Sequence, residues 1–313
     1  MMKFEELAEA WLEDYRKSVK HKTYINAKQA IENHLYPHFA GIAIDEVKSI
    51  DVVDVIRNLD RTSTTLGLRC IGFLERMYTY AYIHRITLHD PSHRVKKYLN
   101  LRTKRYTRPF LILSDVRVYF DVSLREPCKK EIAIIFYTMI FAVVRLNELV
   151  LAKVSDFDFE KGLWYIPAEN TKMNREHIAI LPNQLSFALQ NYFAWHGSDI
   201  AFPDFRDHTV PMKKHTVWDR NNKGGKGRVM LGVHSPHAFR NTFSTYANEE
   251  GWNRDYIEVT LAHTTLDIRF IYNKALYLRQ RKEMMQWYAD EVDKFIDFSK
   301  YKALELFINP PAE

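Results

Sequence analysis

The run Ile132-Ala133-Ile134-Ile135-Phe136-Tyr137-Thr138-Met139-Ile140-Phe141-Ala142-Val143-Val144, closed by Arg145, decides how the chain is read. It holds 13 residues and no charge. A helix crossing a bilayer needs about 20 such residues. A shorter helix that is apolar on every side is a core helix instead, and the chain around it must supply the cover. Outward from this segment, Leu113, Ser114–Ser123 and Lys129–Val144 read as helix, continuing past Arg145 to about Ala152.

Downstream the period changes. Leu163-Trp164-Tyr165-Ile166-Pro167 and His177-Ile178-Ala179-Ile180-Leu181 are short apolar runs around a polar stretch, Ala168 to Glu176. That is a hairpin signature, with Pro167 restricting the first strand to an edge or a short length. Helix is expected again at Asn183–His196. Residues 203–235 read as irregular, with Lys213, Lys214, Arg220, Lys223, Lys226 and Arg228 around a glycine-rich tract. The tract lacks the spacing of a P-loop. Helices are expected at Pro236–Glu250, Asp255–Ala262, Thr265–Asn273 and from about Leu276 onward. In that last segment Met284, Met285, Trp287, Tyr288, Val292, Phe295, Ile296 and Phe298 form an apolar side.

Upstream, Phe4, Leu7, Ala8, Trp11, Leu12 and Tyr15 recur at helical spacing. Further helices are expected over Thr23 to about His38, after Ser49 as N-cap, and over Thr62 to about His84. None can bury its stripe alone, so residues 1–100 read as one four-helix unit. Residues 101–109 read as a linker: Arg102, Lys104, Arg105 and Arg108 put four cations before Pro109. Such a run is solvated in most proteins, and it is also what tracks a DNA backbone. The remainder, 110–313, is a second domain. The fold class is therefore mainly α with a small β-hairpin or sheet, an α+β chain in two domains.

Composition agrees. A chain of 313 residues suits about two domains, and 10 glycines and 11 prolines are few enough for a helix-rich fold. Lys and Arg outnumber Asp and Glu by 45 to 39, for a net charge of +6, which fits a nucleic-acid partner without requiring one. Cys70 and Cys128 make neither a disulfide framework nor a zinc pair. The acidic start, Met1 to Glu6, lacks a signal peptide's apolar run. A cytoplasmic protein is the expectation.

Several polar residues stand out by spacing. Arg145 and Glu148 lie three apart, as do His237 and Arg240 in Ser235-Pro236-His237-Ala238-Phe239-Arg240. Ser235 as N-cap and Pro236 at the first helical position would put His237 in a first turn. Lys172 falls in the hairpin turn, and His263 precedes Tyr272 by nine positions. Each alone has an ordinary reading: a snorkelling arginine, a solvated lysine, a satisfied histidine. Together they suit phosphodiester exchange. Two guanidinium forks can hold the non-bridging oxygens of a phosphate, and a tyrosine can attack it.

The order Arg, Lys, His-x-x-Arg, His, Tyr resembles the tyrosine recombinase, or phage integrase, family. It is carried by Val144-Arg145-Leu146-Asn147-Glu148-Leu149, Thr171-Lys172-Met173, His237-Ala238-Phe239-Arg240, Leu261-Ala262-His263 and Arg269-Phe270-Ile271-Tyr272. Trp164-Tyr165-Ile166-Pro167-Ala168-Glu169, Gly251-Trp252-Asn253 and Met284-Met285-Gln286-Trp287-Tyr288-Ala289-Asp290 are similar to integrases of satellite phages, prophages and genomic islands. The resemblance implies a site-specific recombinase with Tyr272 as nucleophile and Arg145 and Arg240 on the phosphate. It further implies proton transfer by His237, Lys172 as general acid, a hydrogen bond from His263, and Glu148 in support. It implies no cofactor, neither metal nor ATP. Its partners would be double-stranded DNA sites, three further copies in a tetramer on DNA, and an excisionase or DNA-bending accessory protein. Arg102, Lys104, Arg105, Arg108, Lys213, Lys214 and Arg220 are the candidate DNA contacts, and residues 1–100 a core-binding domain. The segment after about Lys282 is expected to dock on a neighbouring subunit. Where many relatives have Thr-Gly-Leu before the first arginine, this chain has Ala142-Val143-Val144. Relaxation of supercoils by a type IB topoisomerase-like activity, or DNA binding without catalysis, are the alternatives.

Overall fold

The structure is a computed structural model that describes residues 1–101, 112–222, 238–263 and 275–309. The chain divides into two compact units, Met1–Tyr106 and Thr107–Glu313.

In the first unit, α1 (Phe4–Ser18), α2 (His21–His34), α4 (Ser49–Thr62) and α5 (Thr64–Ile83) are the long helices, with short α3 (Tyr36–Phe39) and α6 (Val95–Tyr98) between and after them. The stripe of α1 is buried at Phe4, Leu7, Ala8, Trp11 and Leu12, in one core with Ile31, Ile56 and Leu74. Its ends are charged to suit the helix dipole: Glu5 and Glu6 in the first turn, Arg16 and Lys17 in the last. Two boundaries differ from expectation. The helix read over 23–38 stops at His34, because Pro37 cannot supply an interior N–H, and α3 restarts the chain around it. Ser49 is the first helical residue rather than the cap; the Lys48 N–H is satisfied by the Asp51 carboxylate at 3.2 Å. Ser63 caps α5, accepting from the Leu66 N–H at 3.4 Å.

In the second unit, α7 (Leu113–Ser123) leads to α8 (Lys130–Ala142), in which every residue from Glu131 to Ala142 is buried. The apolar run is thus the core helix it was read to be. It does not continue through Arg145. Val143 takes a left-handed φ of 48°, and a separate short α9 (Leu146–Val150) begins after Arg145. A β-branched residue avoids this region, so the break is held by contacts described below.

The hairpin is present as β2 (Leu163–Ile166) and β3 (His177–Ile180), antiparallel, with Trp164 opposite Ala179. A two-residue β1 (Phe157–Asp158) extends it to three strands. After α10 (Asn183–His196), the stretch read as irregular contains a second ribbon, β4 (Pro203–Asp204) with β5 (Asp207–Pro211), and then α11 (Lys214–Asn222). Neither has apolar periodicity to announce it; in α11 Val217 is the residue seen to reach the core.

Next come α12 (Ala238–Glu249), α13 (Arg254–Thr260), α14 (Leu278–Phe295) and α15 (Glu305–Ile308). The C-terminal expectation needs correction. Met284, Met285, Tyr288 and Val292 on α14 are fully buried in the core of their own unit, as are Leu304 and Phe307 beyond it. Polar contacts reinforce the seat: Gln184 Nε2 donates to Asp290 at 2.9 Å and to Asp293 at 2.8 Å, and Asn191 Nδ2 donates to the Phe307 carbonyl at 2.9 Å. Most of the apolar side of this helix is therefore taken up by its own unit, with Phe295 left exposed. Among the described residues, no helix is long and apolar enough to cross a membrane.

Candidate active site

Arg145 lies in the gap between α8 and α9, in extended backbone. Glu148 folds back on it: the carboxylate accepts from the Arg145 N–H at 2.8 Å and from Nη1 at 2.9 Å. Glu148 is 1% exposed and the Arg145 side chain 19%. The three-residue spacing therefore serves a cap rather than a shared helix face. It fixes both the backbone and the guanidinium of one arginine. The remaining nitrogen, Nη2, donates to the Ala262 carbonyl at 3.2 Å and more weakly to that of Leu261 at 3.5 Å.

Arg240 approaches from α12 and is almost wholly buried. Its Nη2 donates to the same Leu261 carbonyl, and its Nη1 to the Val143 carbonyl at 2.5 Å. The left-handed turn at Val143 is thus what aims a carbonyl at Arg240. Ala262, with φ 46°, does the same for Arg145. Non-glycine residues in this region store strain of about 1–3 kcal/mol each, and they persist where surrounding contacts over-determine them. Burial, followed by the adjacent Arg145 charge, lowers the Arg240 pKa to about 10, so the group stays cationic at neutral pH. Its Nε is buried without a hydrogen-bond partner among the described residues.

His263 follows α13 and is half-exposed. Its Nδ1 lies 3.0 Å from Oε2 of Glu258. Burial and then Arg240 push its pKa down, while Glu258 works to raise it. A carboxylate at Nδ1 requires a proton there, which leaves Nε2 to donate only in the imidazolium form. Arg145, His263, His177 and Arg281 line a cavity of about 350 Å³, together with Thr171, Met173 and Leu276. His177 on β3 is driven to about 3 by burial and by Arg281, Arg240 and Arg145, and is therefore neutral. Arg281 on α14 ties three segments: Nε donates to the Thr260 hydroxyl at 2.9 Å, Nη1 to the Leu276 carbonyl at 3.2 Å and Nη2 to that of Ile178 at 2.6 Å.

Lys172 is exposed in the turn between β2 and β3. The turn itself is pinned. The buried Thr171 hydroxyl donates to the Ala168 carbonyl at 2.8 Å and accepts from the Arg175 N–H at 3.0 Å. Asn147, two residues after Arg145, donates to the Asn170 carbonyl at 3.1 Å, and its Oδ1 accepts from Lys214 Nζ. Lys214 so joins the site, while Lys213 is exposed beside it. Arg220 differs from expectation. Its Nε donates to the Ser123 carbonyl at 2.9 Å and its Nη2 to that of Arg125, so these donors brace the end of α7 rather than face a phosphate.

The structure brings Arg145, Arg240, His263 and Glu148 together. His237, Tyr272, Arg102, Lys104, Arg105 and Arg108 lie outside the described residues, as do the Ser235–Pro236 cap, the helix expected over 265–273, and Lys223, Lys226 and Arg228. Sequence reading missed Asn147, His177, Glu258 and Arg281. Only Arg281 carried a signal, as a cation in phase with Met284, Met285 and Tyr288 on the buried side of its helix.

The chain matches the model of the phage integrase family over residues 114–279, and that of the N-terminal SAM-like domain of phage integrases over residues 3–59. It is 27% identical over 288 residues to the prophage integrase IntZ of Escherichia coli (strain K12), covering 91% of this chain and 68% of that protein. It is 26% identical over 297 residues to the integrase of Shigella phage Sf6, covering 90% and 73%. Among solved structures, a lambda integrase dimer bound to a COC′ core site shares the fold. Its TM-score is 0.68 at 14% identity, over 84% of this chain and 96% of that one. A Tn1549 transposon integrase in complex with a circular intermediate DNA has a TM-score of 0.64 at 16% identity, over 89% and 98%.

Proposed function

The chain belongs to the phage integrase family and is a site-specific DNA recombinase of the tyrosine type; from that premise we propose how its residues divide the reaction. Arg145 and Arg240 bind the non-bridging oxygens of the scissile phosphate. The observation that carries this is their convergence: two guanidinium groups, 95 positions apart in the chain, are oriented by the carbonyls of Val143, Leu261 and Ala262. The buried, unpartnered Nε of Arg240 is a donor that an entering anion satisfies. Preorganised donors of this kind favour the charge that develops in the transition state.

Tyr272 Oη attacks phosphorus and the bond from phosphorus to the 5′-oxygen breaks, leaving a 3′-phosphotyrosyl link and a free 5′-hydroxyl. His237 takes the phenolic proton, and Lys172 supplies a proton to the leaving oxygen. His263, as imidazolium, donates from Nε2 to the phosphate. Attack by the 5′-hydroxyl of a second strand reverses the steps and completes exchange. The phosphodiester energy is kept in the covalent link throughout.

Residues 1–100 serve as the core-binding domain, and the basic segment with Arg102, Lys104, Arg105 and Arg108 follows the DNA backbone, with Lys213 and Lys214 as further contacts. The working assembly is a tetramer on DNA in the cytoplasm, assisted by an excisionase or a DNA-bending protein. The fold shared with DNA-bound integrases supports the DNA and self-association parts of this reading.

The test is a two-site exchange assay beside a supercoil-relaxation assay, using DNA from the ends of the element that carries the gene. Recombinant product that depends on Tyr272 supports the reading. Relaxation without exchange makes the protein topoisomerase-like, and binding without either removes the catalytic assignment.

A further inference from the structure

We infer that Asn147 is a positioning residue that sets the Lys172 turn against the Arg145 segment; this rests on the general-acid reading of Lys172 given above. Three segments meet on this one carboxamide. Its own short helix follows Arg145 directly and is fixed by Glu148. Its Nδ2 donates at 3.1 Å to the carbonyl of Asn170, two residues before Lys172. Its Oδ1 accepts from Lys214 at the start of α11.

Thr171 closes the turn upon itself through Ala168 and Arg175, which makes it a rigid loop. The Asn170 side chain adds one long contact, 3.4 Å to the Leu151 carbonyl. Asn147 gives the shorter of these two bonds, and it joins the turn directly to the phosphate-binding segment. A general acid must lie within hydrogen-bond reach of the oxygen it protonates. Misplacement by about 1 Å can cost up to a hundredfold in rate. The carboxamide is the right group, because it donates to the turn and accepts from a lysine at once.

The experiment compares wild type, Lys172→Ala, Asn147→Ala and Asn147→Asp on nicked suicide substrates with either oxygen or sulfur at the 5′-bridging position. A thiolate leaves without a proton, so sulfur bypasses the acid. DNA affinity and melting temperature, measured for each, establish that the proteins fold and bind. Asn147→Asp keeps the acceptor for Lys214 and loses the donor to Asn170. The expected result is that both Asn147 variants slow cleavage of the oxygen substrate by about 10- to 100-fold. Sulfur should return them to within a few-fold of wild type, as it does Lys172→Ala. Equal slowing on both substrates, or no slowing, overturns the inference. If sulfur rescues Asn147→Ala but not Lys172→Ala, the acid role of Lys172 is what fails. Lys214 is then the group that Asn147 positions, and the inference as drawn is wrong.

Discussion

Arg145 and Arg240 donate to one and the same acceptor, the backbone oxygen of Leu261. Two like charges are held side by side by carbonyl dipoles and by one carboxylate, Glu148. Neither guanidinium can shift without disturbing the acceptor of the other.

Arg145→Lys and Arg240→Lys keep the charge and lose the fork. Each should slow strand cleavage by about a hundredfold to a thousandfold, with DNA affinity nearly unchanged. The double variant should fall well short of the product of the two effects, because one arrangement is broken either way. Single-turnover cleavage rates decide. A variant within a few-fold of wild type would show that its arginine serves the fold alone.

Glu258 should set the pH profile through His263. The imidazole is depressed by burial and Arg240 and supported by Glu258. If the imidazolium is the active form, cleavage falls as pH rises through the His263 pKa. Glu258→Gln removes the support, so that limb should move to lower pH. An unmoved profile, measured at saturating DNA, means that His263 acts while neutral.

His177 should make the protein acid-sensitive. Its pKa is about 3 when folded, against about 6.5 unfolded. The unfolded chain therefore binds the extra proton between those values, and stability is lost as pH falls below about 6.5. At pH 5 the loss from this group is about 2 kcal/mol. His177→Gln should show a shallower decline of unfolding free energy from pH 7 to pH 5. Parallel declines would remove His177 as the cause.

Ala262 should gain from glycine. Its φ of 46° costs an L-residue about 1–2 kcal/mol, more than the chain entropy that glycine adds. Ala262→Gly should raise unfolding free energy by up to about 1 kcal/mol in urea titrations and leave cleavage intact. Destabilisation would mean that the methyl group packs usefully where it is.

What the sequence made legible follows from periodicity and order. Phe4, Leu7, Trp11 and Leu12 announced α1 because a buried face repeats every turn. Ile132–Val144 announced the core helix because it carries no charge and has no polar side. The order of Arg145, Lys172, Arg240 and His263 was readable as a motif. The break at Val143 was not, since valine favours continuing an extended or helical chain and the Arg240 side chain that bonds its carbonyl lies 97 positions away. His177 and Arg281 lie far apart in the chain and meet only after folding, and Glu258 matters through its bond to His263. The apolar stripe of α14 predicted burial correctly and its partner wrongly, because a stripe specifies an apolar surface without saying whose. In the event Met284 and Tyr288 found the core of their own unit.

The most direct measurement is mass spectrometry of the covalent complex trapped on a nicked suicide substrate, after digestion of protein and DNA. The expected result is a single phosphotyrosyl linkage to the DNA 3′ end, carried by the peptide that contains Tyr272 and absent from Tyr272→Phe. A linkage on another residue, such as Tyr277, or an adduct that persists in Tyr272→Phe, would contradict it.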